Sequence, residues 1–187
     1  INPDGLAFKV SSKDSAYNWF ITGSYFILDE LSGTVEDPYL VVIQPTIDFM
    51  ITEKTKARAS IAYYASQHIE GITLDNSSGS NTLDASGYTE EFSAIVLSSQ
   101  LDFSDVMGLE LVRPFGEFII NTNKDDRNKG GIVGVKFGNK KVKALGKWQT
   151  TVSYRYLATD AWFDTFPDSD AYGGATNSEG LELAFNY

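Results

Sequence analysis

The chain has 187 residues, of which 42% are hydrophobic, so it is long enough to form one domain with a sizeable core. Its formal net charge of -10 and the absence of any Lys/Arg run argue against nucleic-acid binding, because phosphate recognition needs a concentrated basic surface. The lack of cysteine excludes a disulfide scaffold, a Cys-based zinc site and a thiol nucleophile, and the lack of an apolar run of about 18 residues excludes a transmembrane helix.

The first third of the chain alternates apolar and polar residues with the two-residue period of a β-strand. This period predicts strands over Leu6–Ser11, Ala16–Leu28, Tyr39–Ile51 and Lys56–Ala65. In the third of these strands, Val41 and Ile43 are expected on the side opposite Gln44 and Asp48. Pro45 predicts a bulge in the same strand, because proline cannot donate a hydrogen bond to a neighbouring strand.

A low-complexity stretch from Ser66 to about Glu90 interrupts the alternation and predicts a mobile surface loop. Strand-like alternation returns over Phe92–Phe103, Gly108–Ile120 and Gly131–Gly138. The middle segment has apolar residues on both faces, and its Pro114 and Gly116 predict an irregularity in the strand.

The end of the chain holds two alternating segments around a polar loop. The segments are Trp148–Leu157 and Leu181–Tyr187, and the loop between them is rich in Asp and Gly. In the second segment Leu181 and Phe185 fall on one face, whereas Glu182 falls on the other. The pair predicts a membrane β-hairpin with a long outer loop.

The links between the predicted strands alternate between short and long. Short turns are expected at 12–15, 52–55 and 104–107, and long loops at 29–38, 66–90 and 158–180. This is the pattern of an all-β, up-and-down antiparallel transmembrane β-barrel, which we expect residues 1–187 to form as a single domain. About nine strands are counted, whereas bacterial single-chain barrels usually have an even number, so we expect a fragment of a larger barrel of about 16 strands.

Aromatic residues are frequent and fall near the ends of the predicted strands. They make up 13% of the chain and include 10 Tyr and 12 Phe. Tyrosine and tryptophan favour the boundary between lipid and water, so a membrane barrel is expected to carry two girdles of such residues. The predicted interface aromatics are Trp19, Tyr25, Phe49, Tyr63, Phe103, Phe137, Trp148, Tyr156 and Tyr187.

Charged residues on the opposite face of the strands are candidates for lining a pore. They are Lys9, Asp48, Arg58, Arg113, Glu117, Lys136, Arg155 and Glu182. Most of them are basic, and rings of charge set the ion preference of a wet lumen, so a modest anion preference would follow. The alternative is that they form ordinary salt bridges, as the polar interior of any such barrel would.

The last part of the chain resembles a known family. The segment WQTTVSYRYLATDAWFDTFPDSDAYGGATNSEGLELAFNY is similar to a strand, an acidic loop and a glycine-containing return in the putative porin family of Gram-negative outer membranes. Upstream, LELVRPFGEFIINTNKDDRNKGGIVGVKFGNKK is similar to the preceding strand pair, so the resemblance covers about Leu109 to Tyr187. The resemblance implies a general diffusion channel with further strands beyond this chain, and it supplies no catalytic residue and no substrate.

Other chemistry has less support. The last loop is crowded with carboxylates, namely Asp160, Asp164, Asp168, Asp170 and Glu179. Their spacing is not that of an EF-hand, so solvated surface charge is a simpler interpretation than Ca²⁺ binding. Asp164 and Asp168 could act as a glycosidase pair only in a buried pocket, and the sequence of the loop does not predict one.

His68 is the only histidine and is expected at the surface, which leaves a Ser-His-Asp hydrolase little support. We therefore predict no enzyme, catalytic residue, metal or cofactor.

Three functions remain open. The first is a passive pore for small hydrophilic solutes or ions, narrowed by loops that fold inward. The second is an occluded structural or adhesive barrel that binds a partner or a polysaccharide through its long external loops. The third is a secreted β-sandwich with a carbohydrate-binding face. For the pore, the expected surroundings are outer-membrane lipid and lipopolysaccharide, and the expected assembly is a homo-oligomer such as a trimer.

Overall fold

The computed structural model describes residues 4–13, 17–33, 36–167 and 172–187. Within these ranges the chain forms nine β-strands and one short 3-10 turn at Tyr172–Gly174. The strands are β1 (Gly5–Lys13), β2 (Tyr17–Ile27), β3 (Tyr39–Thr52), β4 (Thr55–Gln67), β5 (Ser93–Val106), β6 (Leu109–Asn121), β7 (Lys129–Gly138), β8 (Gln149–Leu157) and β9 (Ser178–Asn186). No helix in the described ranges is long and apolar enough to cross a bilayer.

All nine strands form one antiparallel sheet in the order of the chain. Each strand pairs with its neighbours in sequence, from Gly5 opposite Phe26 in the first pair to Leu157 opposite Ser178 in the last. The edge strands β1 and β9 do not pair with each other in the described part of the chain, so the sheet is open. The predicted all-β, up-and-down antiparallel fold is confirmed, and the open sheet is consistent with part of a barrel.

The observed strands extend beyond most of the predicted ones. β5 continues to Val106 and β6 begins at Leu109, so the turn between them is 107–108 rather than 104–107. Both turn residues, Met107 and Gly108, have positive φ values of 52° and 84°. Such two-residue turns match the right-handed twist of the strands that they join.

The prolines of β3 and β6 leave the strand register unchanged, so the predicted bulge at Pro45 is wrong. The predicted irregularity of β6 is present at Pro114 as a gap in the pairing, whereas Gly116 is paired on both sides. Proline has no N–H to donate, and each proline leaves a gap in the pairing toward one neighbour only. The gap lies toward β4 for Pro45 and toward β5 for Pro114. A register shift does occur in β3, but it lies between Met50 and Thr52.

The strand alternation is in phase across the whole sheet, which therefore has two different faces. One face, called the apolar face, includes Leu6, Ile43, Leu97, Val133 and Leu183, whose exposed fractions run from 49% to 80%. The other, called the polar face, carries charged, amide and hydroxyl side chains along the middle of the strands. An apolar surface of this extent is unusual on a soluble monomer and typical of a surface that another apolar phase covers.

The links at the two ends of the sheet differ in length. At one end are the turns 53–54 and 107–108, and at the other are the loops 28–38, 68–92 and 158–177. The exception is that link 122–128, at the long-loop end, is shorter than link 139–148, at the short-turn end. The predicted alternation of short and long links therefore holds for all but this pair.

The hydrophobic core lies at the long-loop end of the sheet. Its buried members are Leu28, Leu40, Ile69, Leu74, Tyr88, Phe92 and Phe163. Most of them belong to segment 68–92, and Phe163 belongs to segment 158–177; these two segments are called the loop module. The predicted surface loop over Ser66–Glu90 has exposed residues but is also packed through a buried core, with Ile69 0% and Tyr88 2% exposed, and its mobility stays a prediction.

Candidate pore-lining face and loop module

A row of charged side chains crosses the polar face. Asp48 of β3 is only 6% exposed and accepts hydrogen bonds from Arg58 Nε and Nη2, at 2.6 and 2.8 Å. The Nζ atom of Lys56 lies 2.9 Å from the same carboxylate. Asp48 and Arg58 are directly opposite in the β3–β4 register, which brings the planar guanidinium and carboxylate groups into a bidentate pair.

Two further Arg–carboxylate pairs extend the row. Arg113 of β6 donates from Nε and Nη2 to Asp102 of β5, at 2.6 and 2.7 Å. Arg155 Nε lies 2.9 Å from Glu182 Oε1 in β9, and its Nη2 donates to Oε2 at 3.3 Å. Pairs of this kind hold the guanidinium groups in place, while 28% of the Arg113 side chain and 27% of the Arg155 side chain stay exposed.

Lys9, Glu117 and Lys136 of the polar face form no salt bridge with any described residue. The Nζ atom of Lys9 lies 3.7 Å from the centroid of the Phe20 ring, in position for a cation–π contact. With these side chains included, basic groups outnumber acidic groups on the polar face. The middle of the face therefore offers fixed positive charges together with one free carboxylate.

The strand register places all the predicted pore-lining residues on the polar face. These residues are Lys9, Asp48, Arg58, Arg113, Glu117, Lys136, Arg155 and Glu182. Lys56 and Asp102 are not among the predicted pore-lining residues, yet they lie on the same face and pair with its charges. Asp102 lies between the apolar residues Leu101 and Phe103, and this alternation already indicates that its side chain is on the polar face. The alternative expectation of salt bridges is met by the pairs above, and pore lining stays a prediction.

The predicted interface aromatics follow the apolar face. Trp19, Tyr25, Phe49, Tyr63, Phe103, Phe137 and Tyr156 occupy its strand positions, and Trp148 and Tyr187 flank β8 and β9. At the short-turn end the Trp148 ring lies 6.2 Å from Phe137 and 6.5 Å from Phe185. At the long-loop end the ring centroids of Tyr25 and Tyr39 lie 5.0 Å apart. Their contact with a lipid interface stays a prediction.

A buried carboxylate joins the two segments of the loop module. Asp164, in segment 158–177, is 1% exposed, and every described donor to its carboxylate lies in segment 68–92. The donors are the Tyr88 hydroxyl at 3.1 Å, the Ser77 and Ser78 hydroxyls at 2.9 and 3.5 Å, and the Ser80 and Asn81 amides at 2.7 and 3.2 Å. Buried polar groups need such partners, and this carboxylate is fully supplied with them.

Reciprocal hydrogen bonds surround Asp164. The amide and the hydroxyl of Thr82 both donate to Asp160, each at 2.8 Å. The side-chain amide of Asn81 donates to the carbonyls of Thr159 and Trp162, at 2.6 and 2.8 Å. Each segment thus supplies side-chain hydrogen-bond partners for backbone groups of the other. These backbone groups are paired in this way only when both segments are in place.

The prediction of solvated surface charge in the last loop is wrong for Asp160 and Asp164, which are 3% and 1% exposed. Both carboxylates act as hydrogen-bond acceptors inside the loop module. Glu179 lies in β9, and Asp168 and Asp170 lie outside the described residues, as does the suggested pairing of Asp164 with Asp168. Among the residues that the structure describes, no group of three or more His, Cys, Asp or Glu side chains is placed to hold a metal ion.

Tyr88 lies where the apolar and polar parts of the loop module meet. Its ring packs edge-on against Phe163 and Phe92, with centroids 5.7 and 6.1 Å apart. Burial, together with the neighbouring Asp164 carboxylate, raises the pKa of the Tyr88 hydroxyl well above its ordinary value. The hydroxyl therefore stays protonated, as its role of hydrogen-bond donor requires.

His68 lies at the surface, as predicted, with 41% of its side chain exposed. Its Nε2 atom lies 3.1 Å from Glu36 Oε2, and its ring packs edge-on against Tyr39 at 5.4 Å. These contacts belong to the long-loop end of the sheet and do not include a serine hydroxyl. The geometry therefore gives no support to a serine hydrolase.

The loop module packs against the polar face and not against the apolar face. Leu40, Val42 and Tyr64 are polar-face positions of β3 and β4, and they contact the core of the module. Trp162 packs edge-on against Tyr64, with ring centroids 4.9 Å apart. The loops at this end of the sheet are thus folded over the charged side.

Two adjoining grooves remain on the polar face beside the loop module. The first, called the basic groove, has a volume of about 360 Å³, and its charged lining residues are Arg58, Arg113, Glu117 and Lys136. The second, called the aromatic groove, has a volume of about 460 Å³, and its polar and aromatic lining includes Gln44, Tyr64, Glu117, Arg155, Trp162 and Phe166. Glu117 belongs to both grooves, which therefore form one surface from the middle of the strands to the module.

Comparison with known proteins gives one kind of match. No curated protein and no solved structure matches the chain. The family described as "Putative porin" matches residues 78–187, which is more than half of the chain. The match contains β5 to β9 and most of the loop module, and it includes the stretch from Leu109 to Tyr187 on which the sequence resemblance rests. The chain therefore belongs to the putative porin family.

Proposed function

We propose that the chain is part of an outer-membrane channel through which small hydrophilic solutes diffuse passively. The observation that carries this proposal is the division of one sheet into a charged polar face and an apolar face with aromatic residues near its ends. Strands that separate lipid from a water-filled lumen alternate in this way. Membership of the porin family supports a channel rather than an enzyme.

The channel needs more strands than these nine. In hydrocarbon, the open edges of β1 and β9 would leave unpaired backbone groups, each at a cost of roughly several kcal/mol. We propose that further strands close the barrel with the polar face inside. The apolar face then contacts lipid and lipopolysaccharide, and loops 28–38, 68–92 and 158–177 lie at the external mouth. Assembly into a homo-oligomer such as a trimer stays part of the proposal.

We further propose a modest preference for anions. Arg113 and Arg155 are held in fixed positions by Asp102 and Glu182, and both stay partly exposed. Lys136 adds a charge that has no acidic partner among the described residues. Fixed charges that line a wet lumen set its ion preference, and here basic groups are in excess.

The test is the reversal potential of the full-length protein in planar lipid bilayers under a KCl gradient. Replacing Arg113 and Arg155 together by Gln should shift the selectivity toward cations, because two lumen charges are lost. Arg127→Gln is the matched control, since Arg127 lies in loop 122–128 with 59% of its side chain exposed. Unchanged selectivity in a correctly folded double variant would end the anion preference. A wild type that gives no stable single-channel current would end the channel proposal itself.

The loop module favours a second candidate function, an occluded barrel that binds a partner or a polysaccharide through its external loops. The module has its own buried core and packs against Leu40, Val42 and Tyr64 of the polar face, so it narrows the space beside that face. Conductance separates the two candidates. A wild type that stays closed, and opens when segment 68–92 is replaced by a short turn, would support the occluded barrel.

A further inference from the structure

The aromatic groove has two chemically different walls. The rings of Tyr64, Trp162 and Phe166 form one wall, where the loop module meets the sheet. The other wall is formed by the sheet, where polar side chains from three strands, Gln44, Glu117 and Arg155, lie among apolar ones such as Val96, Ile119 and Ile132. A volume of about 460 Å³ lies within the range of small-molecule binding sites.

The aromatic wall is not part of the core of the loop module. Phe163 and Asp164 are 0% and 1% exposed inside the module, whereas Trp162 and Phe166 are only partly buried and line the groove. Trp162 contacts Phe166 with ring centroids 5.9 Å apart and Tyr64 at 4.9 Å. The module thus presents a continuous aromatic surface to the open space beside the polar face.

Hydrogen-bonding groups on this aromatic wall are unused. The Trp162 indole N–H and the Tyr64 hydroxyl donate no hydrogen bond to any described residue. Such groups usually find a partner when they are buried. Both residues line the groove, so both donors are available to a polar molecule bound there.

The opposite wall carries charges of both signs that disfavour an ionic occupant. Arg155 is already paired with Glu182, and Glu117 has no salt bridge with any described residue. A carboxylate in the groove would meet the Glu117 carboxylate, and an ammonium group would meet the Arg155 guanidinium. A neutral molecule with hydroxyl groups can donate to Glu117 and accept from Gln44 without either penalty.

We propose that the aromatic groove binds a neutral saccharide on its way through the lumen, an inference that rests on the proposed channel function. A sugar ring has a C–H face, which packs on aromatic rings, and a rim of hydroxyl groups, which both donate and accept hydrogen bonds. These two surfaces match the two walls of the groove. The basic groove, with Arg58, Arg113 and Lys136, has Phe115 as its single aromatic lining residue and so offers no comparable stacking surface.

The experiment measures the ion current of the full-length protein in planar bilayers as maltose is added, with sorbitol as an open-chain control. Maltose should reduce the current in a saturable way, and sorbitol should not, because it has hydroxyl groups but no ring. Trp162→Leu and Glu117→Ala, on opposite walls, should each weaken the block at least about tenfold. Trp162→Phe keeps a ring and should retain most of the block, and Trp148→Leu is the control at the short-turn end.

A second measurement does not depend on conductance. In a full-length variant that keeps Trp162 as its single tryptophan, with Trp19, Trp148 and any tryptophan of the closing strands replaced by Phe, the fluorescence reports on the groove. Maltose should change this fluorescence in detergent with the same midpoint as the block. A conducting protein without saturable block or fluorescence change would overturn the saccharide site and leave the channel standing. A closed protein that still binds maltose would overturn the channel and leave the site standing, and equal binding of sorbitol would overturn recognition of the ring.

Discussion

The carboxylate of Asp164 receives hydrogen bonds from two backbone amides and three hydroxyl groups of a segment far away in the sequence. The amides of Ser80 and Asn81 lie outside any strand, so no neighbouring strand supplies them with an acceptor. Without the Asp164 oxygens these amides would be left unsatisfied in a buried place. Asp164 thus accepts more hydrogen bonds between the two segments than the neighbouring Asp160 does, and it is a main link in the polar half of the loop module.

We expect Asp164→Ala to release the loop module. Each buried group that it leaves unsatisfied costs about 1–3 kcal/mol. The change should appear as faster cleavage of segment 68–92 by a protease added to membranes that contain the full-length protein. Asp84→Ala is the control in the same segment, because the described hydrogen-bond partners of the Asp84 carboxylate, Ser86 and Gly87, belong to its own turn. Equal cleavage rates for the two variants would contradict the role of Asp164.

The sequence allowed the side of Arg58 to be predicted but not the burial of Asp164. Arg58 lies in a strand, where the two-residue period fixes the direction of every side chain once one face is known. Asp164 lies in a loop without a period, and its burial depends on contacts with Ser80 and Asn81 of another loop. An acidic, Asp-rich loop therefore looked like solvated surface charge.

Among the elements, the β5–β6 hairpin has an unusually exposed turn. Met107 is 97% exposed and has a φ of 52°, the left-handed region that asparagine and glycine tolerate better than other residues. Gly108 follows with a φ of 84°. The methionine makes the turn with no gain from burial, so its backbone cost is uncompensated.

Met107→Asn should therefore stabilise the hairpin by a few tenths to about 1 kcal/mol, since Asn-Gly is the preferred sequence of this turn. The measurement is the midpoint of urea unfolding of the full-length protein from detergent micelles. Leu145→Asn is the matched control, because Leu145 is 94% exposed in another link and is not among the positive-φ residues. If the urea midpoint rises equally in both variants, the stabilisation comes from the loss of an exposed apolar side chain and not from the turn.

The existence and order of the strands followed from the sequence, whereas the effect of the prolines did not. Alternation over a strand is a strong signal because each residue adds to it. Pro45 and Pro114 suggested bulges, yet the sheet accommodates each proline by giving up pairing toward a single neighbour. The sequence of one strand does not say on which side the missing N–H would have pointed.

For the molecule as a whole, the in-phase alternation of all nine strands makes adjacent residues face different surroundings. Ile43 of β3 is 49% exposed on the apolar face, whereas Gln44 lines the aromatic groove on the polar face. Under the proposed function, the first faces lipid and the second faces water. The same substitution at the two positions therefore tests the orientation of the whole sheet.

Ile43→Lys should destabilise the folded protein by about 2–4 kcal/mol if the position lies near the middle of the bilayer, because a charge on the lipid face is costly there. Gln44→Lys should be tolerated, since its side chain reaches water. The folded fraction after insertion into liposomes, read from heat-modifiable mobility on a gel, measures both. Equal loss for the two variants, or greater loss for Gln44→Lys, would contradict the assignment of the faces.

The loop module also has a mechanical consequence. From segment 68–92, hydrogen bonds reach Asp29 in loop 28–38, Lys124 in loop 122–128 and Asp164 in loop 158–177. These loops follow β2, β6 and β8, so the module links strands that are far apart in the sheet. Moving these strands apart at the long-loop end would break those bonds. Under the proposed function, the module would therefore hold the external mouth of the channel at a fixed width.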